Sequence, residues 1–199
     1  TQILSDRLGY HADLITVHQG DSNRSPRGTT GGARMTAVLG SATAKAAANI
    51  IDTATPLAAD LLDCDVNALV FSDGLFLLRD TNRSLAIEDL VRHLARPGQA
   101  HQLNCALSYE TDGATYPYGC HVVEVEIDKG TCAVEIARYS VVDDFGLVIN
   151  PMTLAGQIHG GIAQGVGQAL LENVVYDKSG QLLSGSFMDY ALPRADHIP

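Results

Sequence analysis

The sequence predicts an α+β fold of two similar sheet-and-helix halves, with mostly antiparallel strands and long Ala- or Gly-rich helices. The first observation is order: a strand, a Gly-rich turn and a long helical segment occur twice, with the helices over residues 32–55 and 151–172. The second is the Gly-containing turns between short β-branched runs, which are typical of antiparallel hairpins. The break Arg96-Pro97-Gly98 separates the halves, giving subdomains at about 1–96 and 99–199.

The first half opens with a short helix and continues into a long Ala-rich segment. Residues 1–8 place their leucine and isoleucine side chains on one helical face, and the β-branched residues within 14–17 predict a short strand. Residues 32–62 have a strongly helical composition that Pro56 interrupts. Because proline lacks a backbone donor and restricts the residue before it, we expect this helix to end or to kink after Thr55.

A hairpin and a short helix follow in the sequence. Residues 68–79, ALVFSDGLFLLR, place Asp73-Gly74 between two apolar runs, which is a strong signal for a tight turn. Ser84 is a good N-cap and is followed by two carboxylates and an apolar stripe, so we expect a helix to begin there. Neither feature indicates chemistry.

The second half predicts three strands, over Gln102–Tyr109, His121–Asp128 and Thr131–Val142. In the middle strand, carboxylates alternate with apolar residues: Glu124, Glu126 and Asp128 against Val123, Val125 and Ile127. Such carboxylates could serve acid–base or metal chemistry, but a solvated sheet face explains the period of two without any function. His121 is interpreted as a hydrogen-bonded, partly buried side chain and not as a metal ligand.

The segment over residues 151–172 combines glycines with polar side chains inside a helical pattern. Its glycines, at 156, 160, 161, 165 and 167, each cost about 1 kcal/mol relative to alanine in a helix interior. The polar residues Gln157, His159, Gln164 and Gln168 lie between them. Exposed backbone and directed donors suit a large, anionic, hydrogen-bonding ligand. Close helix packing through small residues is the alternative, and the spacing does not fit a dinucleotide fingerprint.

The start of the first long helix is the second candidate site. Thr29, Thr30, Gly31 and Gly32 precede the first helical turn, so backbone N–H groups and hydroxyls meet the positive end of the helix dipole. An anion fits there, and Arg34 adds a planar cationic group. A purely structural or solvent-exposed arginine is the alternative.

Composition excludes several classes of protein. A formal net charge of −10 and a pI of about 4.9 argue against binding to nucleic acid or to an anionic membrane surface. The four cysteines have neither disulfide-framework nor zinc-site spacing. No apolar run approaches the length of a membrane span. Because Thr1 falls inside a helical pattern, we expect the chain to be a fragment. We expect a cytoplasmic location; a periplasmic one stays open, since an upstream targeting sequence would not be visible.

Four segments in order carry a family resemblance. They are LGYHADLITVHQGDS, PRGTTGGARMTAVLGSA, YPYGCHVVEVEID and DDFGLVINPMTLAGQIHGGIAQGVGQALLE. Together they resemble the C-terminal part of the molybdenum-binding large subunit of the xanthine dehydrogenase, aldehyde oxidase and aerobic carbon monoxide dehydrogenase family, the molybdenum hydroxylases. The resemblance covers nearly the whole chain, with little of it in residues 56–100, and it implies a molybdopterin-binding domain.

The resemblance also implies which residues contact the cofactor. These are Thr30, Gly31, Gly32, Arg34, Gln157, Gly160, Gly161, Gln164 and Gly165. Two serines of the family motif at the first site are Ala33 and Met35 here, and each replacement removes a hydroxyl. No residue of the chain is implied to be a catalytic acid, a base or a metal ligand. The cofactor is molybdopterin or its cytosine dinucleotide form in the full-length protein.

The implied activity is an oxidoreductase reaction. Members of the family hydroxylate an aldehyde, an N-heterocycle or a similar substrate with water as the oxygen source, or oxidise carbon monoxide. The family's catalytic glutamate lies in a G-x-G-E motif, which residues 1–199 lack. We therefore expect the chain alone to be inactive and to lack the cofactor.

The implied partners are the rest of the large subunit, iron–sulfur and FAD-containing subunits or domains, and a small-molecule substrate. The alternative is a non-catalytic cofactor-binding or subunit-docking module, which the replacements at Ala33 and Met35 favour.

Overall fold

The computed structural model describes residues 1–23, 31–97 and 101–199, which form two units, Thr1–Ala114 and Thr115–Pro199. Each unit combines helices with antiparallel strands, which confirms the predicted α+β class. The division comes later in the chain than the break predicted at Arg96-Pro97-Gly98, and so differs from subdomains at about 1–96 and 99–199. The reason is tertiary: Leu103 is buried in the first unit's core, and the His101 ring donates to the carbonyl oxygen of Val91 (3.1 Å).

Among its described residues, the first unit contains three α-helices and a three-stranded sheet. Its elements are α1 (Gln2–Leu8), α2 (Met35–Leu62), β1 (Leu69–Ser72), β2 (Leu75–Leu78), β3 (Ser84–Ala86) and α3 (Ile87–Leu94). The strands are antiparallel, with β2 in the centre. Asp73 and Gly74 join β1 to β2 with φ values of 49° and 78°, as a type I′ turn requires. The predicted hairpin is thus confirmed.

Small side chains on α2 let this helix approach the rest of the first unit closely. Ala47, Ala54 and Ala58 are fully buried, and Phe76 of β2 and Leu90 of α3 are the largest fully buried side chains. These five residues belong to one hydrophobic core.

The long helix departs from its predicted bounds at both ends. It begins at Met35 and not at residue 32, because Gly32 and Ala33 have left-handed φ values of 58° and 52°. It neither ends after Thr55 nor stops at Pro56, but continues to Leu62. Pro56 is exposed, so water can satisfy the carbonyl oxygen that loses its helical partner, while buried alanines on either side hold the helix in place.

Three further local predictions are wrong. Residues 14–17 pair with no strand among the described residues and follow a 3₁₀ turn, Ala12–Leu14. Ser84 does not cap a helix: it pairs with Leu77 in the sheet, and α3 begins three residues later. Gln102–Tyr109 is not a strand, because Leu103 is taken into the first unit's core.

The second unit contains a two-stranded ribbon and a long helix. Its elements are β4 (Tyr118–Ile127), β5 (Val134–Asp144), α4 (Pro151–Val166), a π-helical turn (Gly167–Leu171) and a 3₁₀ turn (Ala195–His197). β4 and β5 are antiparallel, with an irregularity between Glu124 and Val125. Both strands and the helical segment over 151–172 agree with the sequence. A small hairpin follows, where Tyr176 bridges Leu182 around a turn over residues 177–180.

Candidate functional site

The turn before α2 is built by glycine and by one alanine in a conformation that favours glycine. The N–H of Arg34 donates to the carbonyl oxygen of Gly31 (3.4 Å) across Gly32 and Ala33, whose successive positive φ values make a type I′ turn. A non-glycine residue in this region carries a conformational cost. Thr30, which the sequence assigns to the same site, lies outside the described residues.

The first turn of α2 exposes polar groups. Arg34 is the N-cap residue and is exposed, and its own side chain makes no capping hydrogen bond within the described residues. Because the first amides of a helix have no intrahelical acceptor, those after Arg34 remain available to an anion. Met35, which replaces a family serine, is half-buried, whereas Ala33 is exposed. The turn therefore presents Gly31, Gly32 and Arg34 on the surface of the first unit.

The second candidate site is carried by α4, whose start is locally determined. The Asn150 side-chain oxygen accepts from the N–H of Thr153 (3.0 Å), and the Thr153 hydroxyl donates to the Asn150 carbonyl (3.1 Å). Pro151 occupies the first helical turn, where its missing donor costs nothing. Leu154, Ile158, Ile162 and Val166 form the inward stripe and are partly or fully buried.

The predicted cofactor residues lie on the exposed side of α4, next to the inward stripe. Gln157, Gly160, Gly161 and Gln164 fall on one helical face, with Gly165 at its edge. All five residues are exposed.

The glycines of α4 have open space beside them. A Cβ atom built at Gly156, Gly160, Gly161 or Gly165 meets nothing within 4 Å. Close packing within the described part of this chain therefore does not account for these four glycines. Within the same residues, the side chains of Gln157 and Gln164 form no hydrogen bond to protein, so their donors and acceptors are directed outward.

Gly167 differs from the other glycines of the segment. A Cβ at this position would collide with the Glu172 carboxylate and the Pro193 ring. The Tyr190 hydroxyl donates to Glu172 (2.9 Å), and this bond is the main reason that the pKa of Tyr190 is raised. Gly167 is buried at the start of the π-helical turn, so its role is structural.

His121 on the β4–β5 ribbon contacts two polar side chains that the sequence analysis did not identify as its partners. His121 Nδ1 lies 3.0 Å from the Tyr139 hydroxyl, and Nε2 lies 3.3 Å from the Asp143 carboxylate. Gly119 faces Asp143 across the ribbon, where any side chain would collide with that carboxylate. The hydrogen-bonded interpretation of His121 is confirmed, but the residue is exposed and not partly buried as expected. Its partners depend on strand register, which the composition alone does not determine.

The described ranges contain neither a candidate metal cluster nor a membrane-crossing helix. No group of three or more His, Cys, Asp or Glu residues within 1–23, 31–97 and 101–199 is arranged to hold a metal ion. Across the same ranges, no helix combines the length and hydropathy of a membrane crossing.

The chain is similar in sequence to known proteins along its whole length. The sequence model of the molybdopterin cofactor-binding domain matches residues 1–199. The chain is 34% identical to the carbon monoxide dehydrogenase large chain of Hydrogenophaga pseudoflava, over 100% of this chain and 25% of that protein. It is 32% identical to the 6-hydroxypseudooxynicotine dehydrogenase complex subunit gamma of Paenarthrobacter nicotinovorans, over 100% and 26% respectively.

A solved structure shows the same fold. The reconstituted carbon monoxide dehydrogenase from Oligotropha carboxidovorans superposes with a TM-score of 0.91 at 31% identity, covering 99% of this chain and 25% of that one. The chain thus spans about a quarter of the length of the relatives it matches.

Proposed function

Because the chain belongs to the molybdopterin cofactor-binding domain family, we propose that it forms part of the cofactor site in the large subunit of a molybdenum hydroxylase. The observation that carries this proposal is the exposed face of α4, where glycines with open space lie beside outward-directed glutamines. The relatives named above are dehydrogenases, which supports an oxidoreductase role for the whole protein.

The chemistry of the α4 face fits a pterin cofactor. A pterin ring and its phosphate-bearing substituent present many hydrogen-bond donors and acceptors, and a primary amide offers both kinds of group. Gln157 and Gln164 would bind this polar edge, while Gly160, Gly161 and Gly165 let the ligand approach the helix backbone. A flat, polar ligand needs this combination, which an apolar helix-packing face does not provide.

The turn before α2 fits an anionic group of a molybdopterin cofactor. Gly31 and Gly32 bring the backbone to the surface, and the helix dipole together with Arg34 favours negative charge. Thr30 stays a proposed contact on the basis of the family motif. The loss of two serine hydroxyls at Ala33 and Met35 would weaken binding by about 0.5–1.5 kcal/mol for each hydrogen bond lost.

The chain's own residues would bind and orient the cofactor, and none of them would act as a base. When bound, the molybdenum centre supplies the redox chemistry that hydroxylates a substrate with water, or oxidises carbon monoxide. Residues 1–199 contain no G-x-G-E motif, so we propose that the catalytic glutamate comes from elsewhere in the large subunit and that this chain alone is inactive. Iron–sulfur and FAD-containing subunits or domains would accept the electrons.

The decisive experiment measures cofactor content in the full-length protein. Gln164→Ala is expected to lower molybdenum and pterin per polypeptide a few-fold, as the loss of roughly 1 kcal/mol of hydrogen bonding implies. His159→Ala is the matched control, because His159 is exposed on the other side of the same helix. Equal molybdenum content in both variants and the parent, with an unchanged melting temperature, would show that the Gln164 side chain does not contact the cofactor.

A non-catalytic cofactor-holding or docking module is the second candidate function. The observation in its favour is the absence of hydroxyls at Ala33 and Met35. The gene's downstream reading frame discriminates: a G-x-G-E motif within the next few dozen codons supports the enzyme, and its absence supports the module.

A further inference from the structure

The β4–β5 ribbon leaves an apolar surface uncovered. In an antiparallel pair, directly opposed residues lie on the same face, and the register opposes Val125 to Ile136 and Ile127 to Val134. With Val123, these residues form what we term the apolar ribbon face. Val125 is 51% exposed and Ile127 is 61% exposed. Every residue of β4 is exposed, so neither side of the strand is covered.

The two faces of the ribbon differ in chemistry. On the opposite face, Glu124 pairs with Arg138, Glu126 pairs with Glu135, and Val122 pairs with Ser140. That face carries the charges expected of a solvated surface. The apolar ribbon face has none over its five positions, and the same side of the ribbon continues past Val123 and its partner Tyr139 to the polar pair His121 and Asp143. The sequence alternation therefore predicts two chemically different faces, of which the apolar one lacks a neighbour.

Such a ribbon is not stable by itself in water. An isolated two-stranded hairpin is marginal at best and needs further strands or a packed layer, and contiguous exposed apolar surface marks an interaction site. Here β4 and β5 run for 10 and 11 residues. Val123, Val125, Ile127 and Val134 are exposed, and such β-branched side chains are of the kind that β-sheets bury.

We propose that the apolar ribbon face is an intramolecular docking surface, covered in the full-length large subunit by an uncharged, apolar surface of the same polypeptide from outside residues 1–199. The same fold, at a TM-score of 0.91, occurs within a carbon monoxide dehydrogenase chain of which it makes up 25%. Three quarters of such a chain is available as the neighbour, at the high effective concentration that a covalent connection gives. A face without charge is typical of permanent contacts and not of transient ones.

This inference rests on the proposed place in a large subunit and is independent of cofactor binding. A photo-crosslinking amino acid at position 125 of the full-length protein, with position 126 on the charged face as the control, reports what covers the ribbon. We expect the residue at 125 to crosslink within one polypeptide to a peptide outside 1–199, identified by mass spectrometry. A crosslink to residues 1–114, a crosslink to a second copy or to a separate subunit, or no crosslink at 125 would each overturn the proposal.

Paired substitutions test the same contact by its energetics. In the full-length protein, Val125→Asp should speed amide exchange in β4 and β5 by about ten-fold or more, whereas Val122→Asp should stay within about two-fold. Both changes are Val to Asp on one strand, and an aspartate at 122 has Arg138 diagonally across the ribbon. Equal effects of the two variants would overturn the proposal. Molybdenum content measured in parallel separates this inference from the proposed function. If position 125 crosslinks as expected but the protein contains no molybdenum, the docking surface is supported and the proposed function is wrong.

Discussion

At the scale of single residues, the glycines of the α4 segment serve two purposes. Gly167 is buried against Glu172 and Pro193, whereas Gly156, Gly160 and Gly161 have open space at their Cβ positions. The sequence identified the glycines as a group because each weakens a helix in the same way. It could not divide them, because the division depends on Pro193, which lies far along the chain.

This division predicts opposite responses to one methyl group. Gly167→Ala should destabilise the chain by about 1–3 kcal/mol, since the Cβ must displace a proline ring and a carboxylate. Gly161→Ala should be neutral, or stabilise by up to about 1 kcal/mol, because the methyl group enters open space and raises helix propensity. Urea unfolding of both variants compares these values directly. Equal destabilisation would mean that Gly161 is also packed.

The Asp128 turn predicts a local acid transition. The Asp128 carboxylate accepts from the Thr131 N–H (2.7 Å), the Thr131 hydroxyl (2.8 Å) and the Gly130 N–H (2.9 Å). These bonds, led by the Thr131 backbone, lower the pKa of Asp128. A lowered folded-state pKa gives stability that is present above the ordinary value of about 3.9 and is lost as pH falls through the lowered value.

We therefore expect amide protection at Thr131 to decrease as pH falls below about 4, after correction for intrinsic exchange. Asp128→Asn should remove this pH dependence and leave the similar Asp177 turn, whose pKa is also lowered, as an internal control. Hydrogen exchange followed by NMR measures both turns in one sample. Unchanged protection at Thr131 throughout the acid range would contradict the assignment.

At the scale of elements, helices and strands were predicted correctly where residues adjacent in the sequence determine them, and incorrectly where tertiary contacts do. The β1–β2 hairpin was predictable because Asp73-Gly74 alone specifies its turn. The start of α4 was predictable because its N-cap residue, Asn150, and its first residue, Pro151, are both typical of a helix N-terminus. The strand expected over Gln102–Tyr109 failed because burial of Leu103 overrides local propensity.

The junction of α1 with the hairpin gives a prediction at this scale. Gly9 ends α1 with φ of 70°, and a Cβ there would overlap the backbone of Asp73 and Gly74. Gly9→Ala should therefore destabilise the first unit by about 2–4 kcal/mol, combining left-handed strain with overpacking.

Gly20→Ala is the matched control for this junction. Gly20 has a similar φ of 75°, but no described residue lies within 4 Å of its Cβ position, so only the conformational term of about 1–2 kcal/mol applies. Denaturant unfolding of the two variants isolates the backbone contact. Equal losses would show that α1 does not depend on the hairpin turn.

At the scale of the whole molecule, the two candidate surfaces lie on separate units. Gly31, Gly32 and Arg34 belong to Thr1–Ala114, and the α4 face belongs to Thr115–Pro199. Both candidate surfaces could be identified from the sequence, because glycines inside or just before a helical segment are unfavourable and can be recognised without tertiary information. The sequence could not show that the apolar side of β4 would be exposed, since alternation alone predicts one covered face.

The exposure of both candidate surfaces predicts how the isolated chain behaves. Binding sites for small molecules and cofactors enclose most of the ligand, about 70–90% of its surface. Arg34, Gln157 and Gln164 are all exposed, so a cofactor bound by this chain alone would remain largely solvated on its other side. We expect the purified 199-residue chain to be folded and soluble, yet to contain neither molybdenum nor pterin, while the full-length protein from the same host contains both. Elemental analysis for molybdenum and fluorescence of the oxidised pterin measure this, with circular dichroism confirming that the chain is folded. Stoichiometric molybdenum in the folded chain would show that these surfaces hold the cofactor without a further wall, and the proposed division of the site would then be wrong.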